Sequence, residues 1–411
     1  MSSEFEVEIE SMAHGGSGLA RHKGNPVFVP YTIPGERVLV RRVDTDDKRI
    51  LAEGLTLLDA SADRVFPVCP HFGPHKCGRC HWQHVSYAAQ LLIKQDILAD
   101  QLSRVGDLSD REILAALRPV IASPDEWYYN HHMTLTVTAD GQIGFPDADG
   151  RGTFPIEECH ILHPDLLGLY QQLDIDLTGF KRVRLQQGSD GQQMIILTTL
   201  SENAPELETD LPTSINLILP DNVPMNLIGD SHSRYTVNGH SFRVTAGSYI
   251  RPNYAQLGNL VTSTLQLLDL RGGENVLDLY AGVGMFSRFA AQTAALVTLV
   301  ESYPPAVTDA DDNLADLDNV DVFEGGVESV LPSLEDRYAA AIVDPTAALS
   351  REAFASITQV PRLVYISDDP ATLAKEAKRL KRAGYQLVAA QPIDLSPQTY
   401  YVDTIALFQR D

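Results

Sequence analysis

The spacing of apolar positions divides the chain into three stretches with different predicted structures. In residues 1 to 60, short alternating runs are separated by glycine and proline, which predicts small strands joined by tight turns. The first run is Phe5 to Ile9, and Val27 to Pro30 and Arg37 to Val40 lie on either side of the turn pair Pro34-Gly35. Several short strands in one small segment are typical of a β-barrel of the OB type.

Residues 61 to 245 mix helical and strand-like patterns. Apolar residues at helical spacing predict a helix from Tyr87 to Val105. Strand-like runs come later, at Met133–Val137, Val183–Gln186, Met194–Thr199 and Ile215–Leu219. This order predicts a central α+β domain.

Residues 246 to 411 alternate between apolar strand-like runs and helical segments. The runs are Asn275–Leu279, Leu296–Val300, Ala339–Val343 and Leu363–Ile366. Such alternation predicts a Rossmann-like, doubly wound and mostly parallel sheet. The pattern as a whole therefore predicts a multidomain protein with a β part at 1–60, an α+β part at 61–245 and an α/β part at 246–411.

The charge of the chain bears on its partners. The 411 residues carry a formal net charge of −23. Binding to RNA phosphates needs Lys and Arg, so an RNA partner requires basic residues concentrated on one face. The candidates are Lys181, Arg182, Arg184, Lys375, Lys378, Arg379, Lys381 and Arg382. The alternative is a generally acidic surface that aids solubility.

No segment of the sequence has the character of a membrane span or a signal peptide. The longest apolar runs are shorter than a bilayer requires, and the N-terminus is acidic. We therefore expect a cytoplasmic protein without a membrane partner.

A glycine loop follows the first strand of the α/β part. It contains Gly282 and Gly284, which let the backbone approach a ligand closely, but lacks the third glycine of the dinucleotide fingerprint. Asp278 precedes the loop, and Glu301 ends the next strand, where its carboxylate can accept hydrogen bonds from ribose hydroxyls. Asp344 ends a later strand. This pattern predicts binding of S-adenosylmethionine, and the alternative is a generic α/β turn.

Many short segments follow one another in an order that resembles a known family. They are Gly16–Ala20, Val27–Pro30, Pro34–Val38, Cys69, Cys77–His84, Trp127–Asn130, Gly144-Phe145, Cys159–Leu162, Asp278–Gly284, Asp344-Pro345, Pro370–Ala374 and Pro397–Thr399. Over nearly the whole chain this order resembles the RNA 5-methyluridine methyltransferases, which join a TRAM domain, a domain with a 4Fe-4S cluster and a Rossmann-like methyltransferase domain. The resemblance implies an S-adenosylmethionine-dependent transferase acting on RNA, either tRNA or rRNA. We expect it to be a monomer.

The resemblance also implies which residues carry the cofactor and the metal. The cofactor set is Asp278, Tyr280, Gly282, Gly284, Glu301, Asp344 and Arg251. The cluster ligands are the chain's four cysteines, Cys69, Cys77, Cys80 and Cys159. Four thiolates are the usual shell of a 4Fe-4S cluster, and structural zinc, which accepts the same shell, is the alternative. Zinc ribbons generally carry two C-x-x-C knuckles and this chain has one, which favours the cluster.

The chain departs from the family where the chemistry takes place. In the family, a cysteine in a Ser-Cys-Asn-Pro segment adds to uridine C6, so that C5 can attack the methyl group. Here that segment reads Ser367-Asp368-Asp369-Pro370, and the family's glutamate base is replaced by the shorter Asp403. All four cysteines belong to the implied cluster, so no thiol is spare. Asp368 and Asp403 remain as the candidate catalytic residues.

Two further segments of the target pocket depart from the family. Arg251 stands in the family's Phe-Gln segment, and Asp344-Pro345-Thr346-Ala347 replaces Asp-Pro-Pro-Arg. The family residues that are replaced belong to the catalytic step and the target pocket, while the glycine loop is kept. We therefore predict that the cofactor binds and that the usual uridine-5 mechanism is lost.

Three functions remain compatible with the sequence. The first is an RNA methyltransferase with an altered target atom or mechanism, because attack by nitrogen or oxygen needs no thiol adduct. The second is a catalytically inactive family member that binds RNA or regulates, which the missing cysteine favours. The third is a methyltransferase of a small molecule or protein, which suits the net charge of −23 but leaves the TRAM-like segment without a role. We favour the first.

Overall fold

The computed structural model describes residues 4–43, 49–148, 150, 152–202 and 210–410. Its N-terminal strands are β1 (Glu4–Glu8), β2 (Ser11–Met12), β3 (Gly18–His22), β4 (Asn25–Val29), β5 (Arg37–Arg42) and β6 (Ile50–Asp59). They form one sheet in the order β1-β5-β6-β4-β3-β2. Alternate side chains from these strands, including Val7, Val27 and Val38, share one apolar core. The predicted N-terminal β part is therefore a sheet around its own core.

The N-terminal sheet is held against the rest of the chain at Gly16. The indole Nε1 of Trp82 donates a hydrogen bond of 3.0 Å to the carbonyl oxygen of Gly16. Gly16 has φ of +87°, and a Cβ atom there would lie 2.7 Å from Cδ1 of Tyr400. Both the left-handed backbone and the close approach of Tyr400 require glycine at this position.

Two helices follow the N-terminal sheet. The first, α1 (Tyr87–Arg104), confirms the predicted helix to within one residue, and Leu102 lies on its buried face. The second, α2 (Asp110–Ala116), begins at a capping box formed by Ser109 and Glu112. No helix in the described parts of the chain is long and apolar enough to cross a membrane.

The central part is built on a seven-stranded mixed sheet. Its strands are β7 (His132–Val137), β8 (Ile143–Pro146), β9 (Thr153–Phe154), β10 (Phe180–Gln187), β11 (Gln193–Thr199), β12 (Ser214–Ile218) and β13 (Pro224–Ile228), and α3 (Pro164–Gln171) lies beside β10. Their order is β13-β12-β11-β10-β7-β8-β9, and only β11 and β12 pair in parallel. The four predicted strand runs fall on β7, β10, β11 and β12. The sequence pattern did not predict the short strands β8, β9 and β13.

A hairpin joins the central sheet to the C-terminal part. It consists of β14 (His232–Val237) and β15 (His240–Thr245), and α4 (Tyr254–Leu268) follows it. Tyr235 and Phe242 of the hairpin pack in the same apolar core as α4 and the third sheet.

The C-terminal part is a seven-stranded α/β sheet. Its strands are β16 (Asn275–Leu279), β17 (Leu296–Glu301), β18 (Val320–Glu324), β19 (Ala340–Val343), β20 (Arg362–Ser367), β21 (Gln386–Ile393) and β22 (Asp403–Gln409). Its helices are α5 (Met285–Ala290), α6 (Pro304–Leu314), α7 (Val327–Val330), α8 (Arg351–Ile357) and α9 (Pro370–Arg382). The strand order is β18-β17-β16-β19-β20-β22-β21, and β22 alone runs against its neighbours. The predicted mostly parallel sheet is confirmed.

This sheet has a point at which the direction of its winding reverses. The chain passes from β16 to β17 and β18 on one side, and then returns to β19 on the other side of β16. The strand ends on either side of such a reversal leave a crevice, where ligands of open α/β sheets bind. The glycine loop after β16 and Asp344 after β19 therefore lie at the expected ligand site.

Candidate active site

The loop between β16 and α5 takes a conformation that depends on its glycines. Gly282 and Gly284 have φ of +56° and +78°, in the left-handed region that favours glycine. A Cβ atom on Gly284 would also lie 2.8 Å from Cδ1 of Leu314. Tyr280 has φ of +59° without being glycine, so the backbone is strained at the start of the loop. The N–H groups of Ala281 and Gly284 donate to the carbonyl oxygens of Val300 and Ala281, which fixes the conformation of the loop.

Asp278 lies fully buried beneath this loop. Its Oδ2 accepts a hydrogen bond of 2.7 Å from the hydroxyl of Ser287 on α5, while its Oδ1 has no partner among the described residues. Burial raises the pKa of Asp278 to about 7, and the nearby carboxylates of Asp344 and Glu301 add to the rise. Asp278 thus keeps one unpartnered acceptor atom enclosed beneath the loop.

Glu301 ends β17 on the other side of the loop. Its Oε2 accepts a hydrogen bond of 2.8 Å from the backbone N–H of Gly282. Its Oε1 accepts from the N–H groups of Ser302 and Tyr303, at 2.7 and 2.8 Å. These bonds fix the orientation of the carboxylate toward the crevice before any ligand is present.

A second cluster lies at the ends of β19, β20 and β22. Nη1 and Nη2 of Arg251 donate to Oδ2 and Oδ1 of Asp344 at 2.8 and 2.7 Å. Nε of the same guanidinium lies 3.5 Å from Oδ1 of Asp403. Arg251 is held in place by the central sheet, because His132 contacts the carbonyl oxygen of Ile250 at 2.6 Å. The network therefore joins three strand ends of the C-terminal sheet to the central part.

The segment after β20 carries two carboxylates in different settings. Asp369 is the N-cap of α9 and accepts hydrogen bonds from the N–H groups of Ala371 and Thr372 at 3.2 and 3.0 Å. It also contacts Nε2 of His14, from the N-terminal sheet, at 2.7 Å. Asp368 is exposed, and no hydrogen bond or ion pair joins it to another described residue. Asp369 is therefore structural, and Asp368 is the free carboxylate.

Two carboxyl groups of this second cluster have raised pKa values. Burial raises the pKa of Asp403 to about 7 against the opposing charge of Arg251, and the carboxyl groups of Asp368 and Asp344 add to the rise. Partial burial raises the pKa of Asp368, again against the effect of Arg251. Such shifts by burial and like charge are typical of groups that exchange protons in an active site.

Three residues at this site were not singled out from the sequence. Tyr249 lies within electrostatic reach of all members of the second cluster and is 57% exposed beside it. Ser287 and His14 hold Asp278 and Asp369, respectively. Tyr249 could have been noted as an aromatic residue two positions before Arg251. The roles of Ser287 and His14 depend on tertiary contacts that carry no local signal.

The four cysteines line one cavity, away from the strand ends of the second cluster. Apolar side chains also line this cavity. Its lining includes Cys69, Cys77, Cys80, Cys159, Phe145 and Ile156. Burial raises the pKa of Cys77 to about 11 and raises the pKa of Cys80 further. All four cysteines are outside disulfides. Within the described ranges, no group of three or more His, Cys, Asp or Glu side chains is arranged to hold a metal ion.

Several of the basic residues proposed for RNA contact are paired with acidic residues or enclosed. On α9, Lys378 and Lys381 pair with Asp107 and Glu112 at 3.7 and 2.8 Å, so this helix packs against the α1–α2 region. Arg184 is enclosed on β10, where its Nε and Nη2 have no partner among the described residues. The interpretation of the α9 basic run as an RNA-binding face is therefore weakened by its ion pairs.

The fold and the crevice together define a methyltransferase-type α/β domain joined to two further parts, and comparison with known proteins agrees. Residues 5–62 match the model of the tRNA (uracil(54)-C(5))-methyltransferase TRAM domain. The whole chain is 30% identical to an uncharacterized RNA methyltransferase of Streptomyces avermitilis, over 99% of that protein. It is 29% identical to the 23S rRNA (uracil(1939)-C(5))-methyltransferase of Shewanella sediminis, over 100% of this chain and 97% of that protein.

A solved structure shares the complete fold. The tRNA (uracil-54, C5)-methyltransferase of Pyrococcus abyssi, in complex with S-adenosyl-L-homocysteine, superimposes with a TM-score of 0.73 at 22% identity, covering 98% of this chain and 99% of that one. The chain belongs to the family of RNA methyltransferases that includes these uracil-C5 enzymes.

Proposed function

We propose that this protein transfers the methyl group of S-adenosylmethionine to RNA by a route that uses no thiol adduct. The observation that carries the proposal is the second cluster: the strand ends around Arg251 present Asp344, Asp368 and Asp403, and none of the four cysteines lines that site. A nucleophile that attacks the methyl group directly, such as nitrogen or oxygen, needs only a base to take its proton.

The residues of the crevice suit this cofactor. S-adenosylmethionine supplies a sulfonium-bound methyl group together with an amino-acid tail, an adenine and a ribose. Glu301 holds its carboxylate in position to accept from ribose hydroxyls, and Asp278 adds an acidic group beneath the loop, which suits the cationic tail. Gly282 leaves open space at the loop, where a Cβ atom would meet no other atom within 4 Å. We assign Asp344 and Arg251 to the boundary between the cofactor and the target base.

We further propose that Cys69, Cys77, Cys80 and Cys159 hold a 4Fe-4S cluster. Although the four thiols are not arranged as metal ligands among the described residues, their chemistry suits the group, because all four line one cavity and four thiolates are the usual ligands of such a cluster. Buried thiols with raised pKa values ionise readily only beside a cation, which bound iron provides. A cluster here would supply a cross-link between residues 69–80 and Cys159, and we assign it no redox step. Equal amounts of iron and acid-labile sulfide per chain would support the cluster, whereas zinc without sulfide would support the alternative ligand.

The proposed activity is tested in two stages on full-length protein purified without oxygen. Calorimetry first measures the binding of S-adenosylmethionine. Transfer of radiolabelled methyl groups to RNA from cells that lack the protein is then measured. Binding followed by label in RNA supports the proposal, and the absence of binding overturns it.

The second candidate function is a non-catalytic RNA-binding or regulatory protein. It is favoured by the bidentate pairing of Arg251 with Asp344, which occupies part of the space that a target base would enter. RNA binding at low salt together with cofactor binding but no methyl transfer would support this alternative.

A further inference from the structure

Arg184 on β10 is a cation without a partner inside the protein. Its Nε and Nη2 are enclosed, and neither atom has a hydrogen-bond partner among the described residues. By contrast, the buried Lys94 pairs with Asp394 at 2.7 Å. A charge withdrawn from water without a counter-ion lowers the stability of the folded protein, and an anionic ligand would remove that cost.

The groups around Arg184 are polar but uncharged. The titratable groups that act on its pKa are the hydroxyls of Tyr235 and Tyr249, and burial raises the pKa of both, so they are neutral at neutral pH. The hydroxyl of Tyr235 is itself enclosed without a partner among the described residues. Burial lowers the pKa of His132, which lies near Arg184 and is therefore neutral as well. These neighbours supply no counter-ion for the guanidinium.

Arg184 belongs to a polar strip on one face of the central sheet. Arg182 lies two positions away on the same face of β10. The partners of these two arginines in the β7–β10 ladder are Thr134 and Thr136. Arg182, Thr134 and Thr136 are exposed and Arg184 is partly exposed, so an anion can reach the guanidinium from the strip. The strip thus presents two cations and two hydroxyl groups, in a chain with a net charge of −23.

The polar strip begins beside the second cluster. Arg184 lies within electrostatic reach of Tyr249, which is exposed and precedes Arg251 by two positions. His132, on the same strand as the two threonines, contacts the carbonyl oxygen of Ile250 and fixes this segment to the central sheet. When a target base enters the second cluster, the RNA backbone next to that base is therefore the part of the substrate nearest the strip.

We propose that Arg184 binds a backbone phosphate of the RNA next to the target nucleotide, and that the polar strip holds the strand leading to the target pocket. A guanidinium matches a phosphate group because two of its N–H groups donate to two oxygens in parallel. Threonine hydroxyls are further donors to phosphate and sugar oxygens. The inference rests on the proposed function and identifies the surface on which that function receives its RNA.

RNA binding measured without methyl transfer tests this inference. Full-length protein purified without oxygen is titrated against labelled total RNA from cells that lack the protein, over a series of salt concentrations. Arg184→Met should weaken binding about 10- to 100-fold, as expected when one charge-assisted hydrogen bond is lost. The slope of log affinity against log salt should become shallower by about 0.7–0.9, the value for one phosphate contact. Affinity for S-adenosylmethionine should be unchanged.

The matched control makes the same change of charge far from the strip. Arg337 is exposed and precedes β19, at the edge of the C-terminal sheet opposite the second cluster. Arg337→Met should leave both the RNA affinity and the salt slope as they are in the parent. Equal RNA affinity and equal slope for Arg184→Met and the parent would overturn the inference and leave the proposed function standing. A parent that binds S-adenosylmethionine but no RNA would overturn the proposed function itself.

Stability distinguishes this role from a structural one. Replacing an unpaired enclosed charge with an apolar side chain of similar length should not destabilise the fold, so Arg184→Met should be at least as stable as the parent in denaturant. Unchanged or higher stability together with weaker RNA binding is the expected pair of results. A clear loss of stability would show that the guanidinium has a partner inside the protein, and would overturn the inference.

Discussion

At the scale of single residues, the two carboxylates around the glycine loop are oriented before a ligand arrives. Glu301 is held by three backbone N–H groups and Asp278 by one hydroxyl group. A carboxylate fixed in this way loses little side-chain entropy on binding, so its hydrogen bonds to a ligand are retained as affinity. The contribution of these carboxylates to cofactor affinity can be measured separately from the rate of methyl transfer to the target.

Glu301→Gln should weaken binding of S-adenosylmethionine about 10- to 100-fold, because a charge-assisted hydrogen bond contributes roughly 1.5–3 kcal/mol. The matched control is Glu324→Gln, since Glu324 is the neighbour of Glu301 in the β17–β18 ladder. Calorimetry on both variants checks the prediction. Equal affinities for the two would remove Glu301 from the cofactor site.

The rate of methyl transfer should depend on pH through Asp403. Its pKa is raised to about 7 by burial, so the group is mostly protonated below that pH and cannot take a proton from the nucleophile. We expect kcat/KM to rise as pH increases toward 7 and to level off above about 8, within a unit or so of that pKa. Asp403→Asn should abolish the rise. Cofactor affinity measured over the same range is the control, and a rate that falls with increasing pH would contradict the assignment.

Restoring the thiol alone should not restore uridine chemistry. Asp368→Cys provides the nucleophile that the family uses, but Arg251 still pairs with Asp344 in the space beside it. Nucleoside analysis of RNA treated with this variant should therefore show no robust formation of 5-methyluridine. Efficient formation of that product would mean that the pocket still accepts uracil and that the pairing of Arg251 with Asp344 does not block it.

At the scale of secondary-structure elements, a buried ion pair fastens α1 to the segment after β21. Nζ of Lys94 lies 2.7 Å from Oδ1 of Asp394 and 3.0 Å from the carbonyl oxygen of Ser396. Both charged side chains are fully buried. Removal of one partner leaves the other charge uncompensated in a medium of low polarity.

Lys94→Ala should therefore lower the free energy of unfolding by about 3–5 kcal/mol. Arg104→Ala is the control on the same helix, because Arg104 pairs with Asp100 at the surface and should contribute less than about 1 kcal/mol. Denaturant unfolding of both variants measures the difference. A similar small loss for both would show that Asp394 finds another partner when Lys94 is absent.

An element could be predicted from the sequence where its own residues carry a clear apolar pattern. The strands at 275–279 and 296–301 are continuous apolar runs that end at glycine or acid, so the sequence locates both the strands and the ligand edge. The strands of the hairpin at 232–245 are half polar and were not predicted, because their burial depends on α4. The candidates Arg251, Asp344 and Asp403 could be named from the sequence. Their convergence could not, because it depends on contacts across 152 positions of the chain.

At the scale of the whole molecule, the segment from Asp394 to Asp403 contacts all three parts. Tyr129 of the central part donates a hydrogen bond of 2.8 Å to the carbonyl oxygen of Pro397. Tyr400 packs on Gly16 of the N-terminal sheet. The same segment ends at Asp403, in the second cluster. A change in the packing of the three parts should therefore affect the target pocket more than the cofactor loop, which lies on strands β16 and β17.

Gln90 and Gln398 allow this coupling to be tested. The side chain of Gln90 accepts from the N–H of Gln398 and donates to its Oε1, both at 2.9 Å, and Gln398 holds a left-handed backbone with φ of +66°. Gln90→Ala leaves these buried groups unpaired, which should cost about 2–5 kcal/mol of stability.

Because the strained turn lies five residues before Asp403, Gln90→Ala should lower methyl transfer more than it lowers affinity for S-adenosylmethionine. Gln172→Ala, at the exposed end of α3, removes a glutamine bond to Gly168 outside this segment and is the control. Transfer rates and calorimetry are compared below the unfolding temperature of each variant. Parallel losses of rate and cofactor affinity would mean that the segment stabilises the whole molecule without a specific effect on the target pocket, whereas a selective loss of rate ties the docking of the three parts to the chemistry.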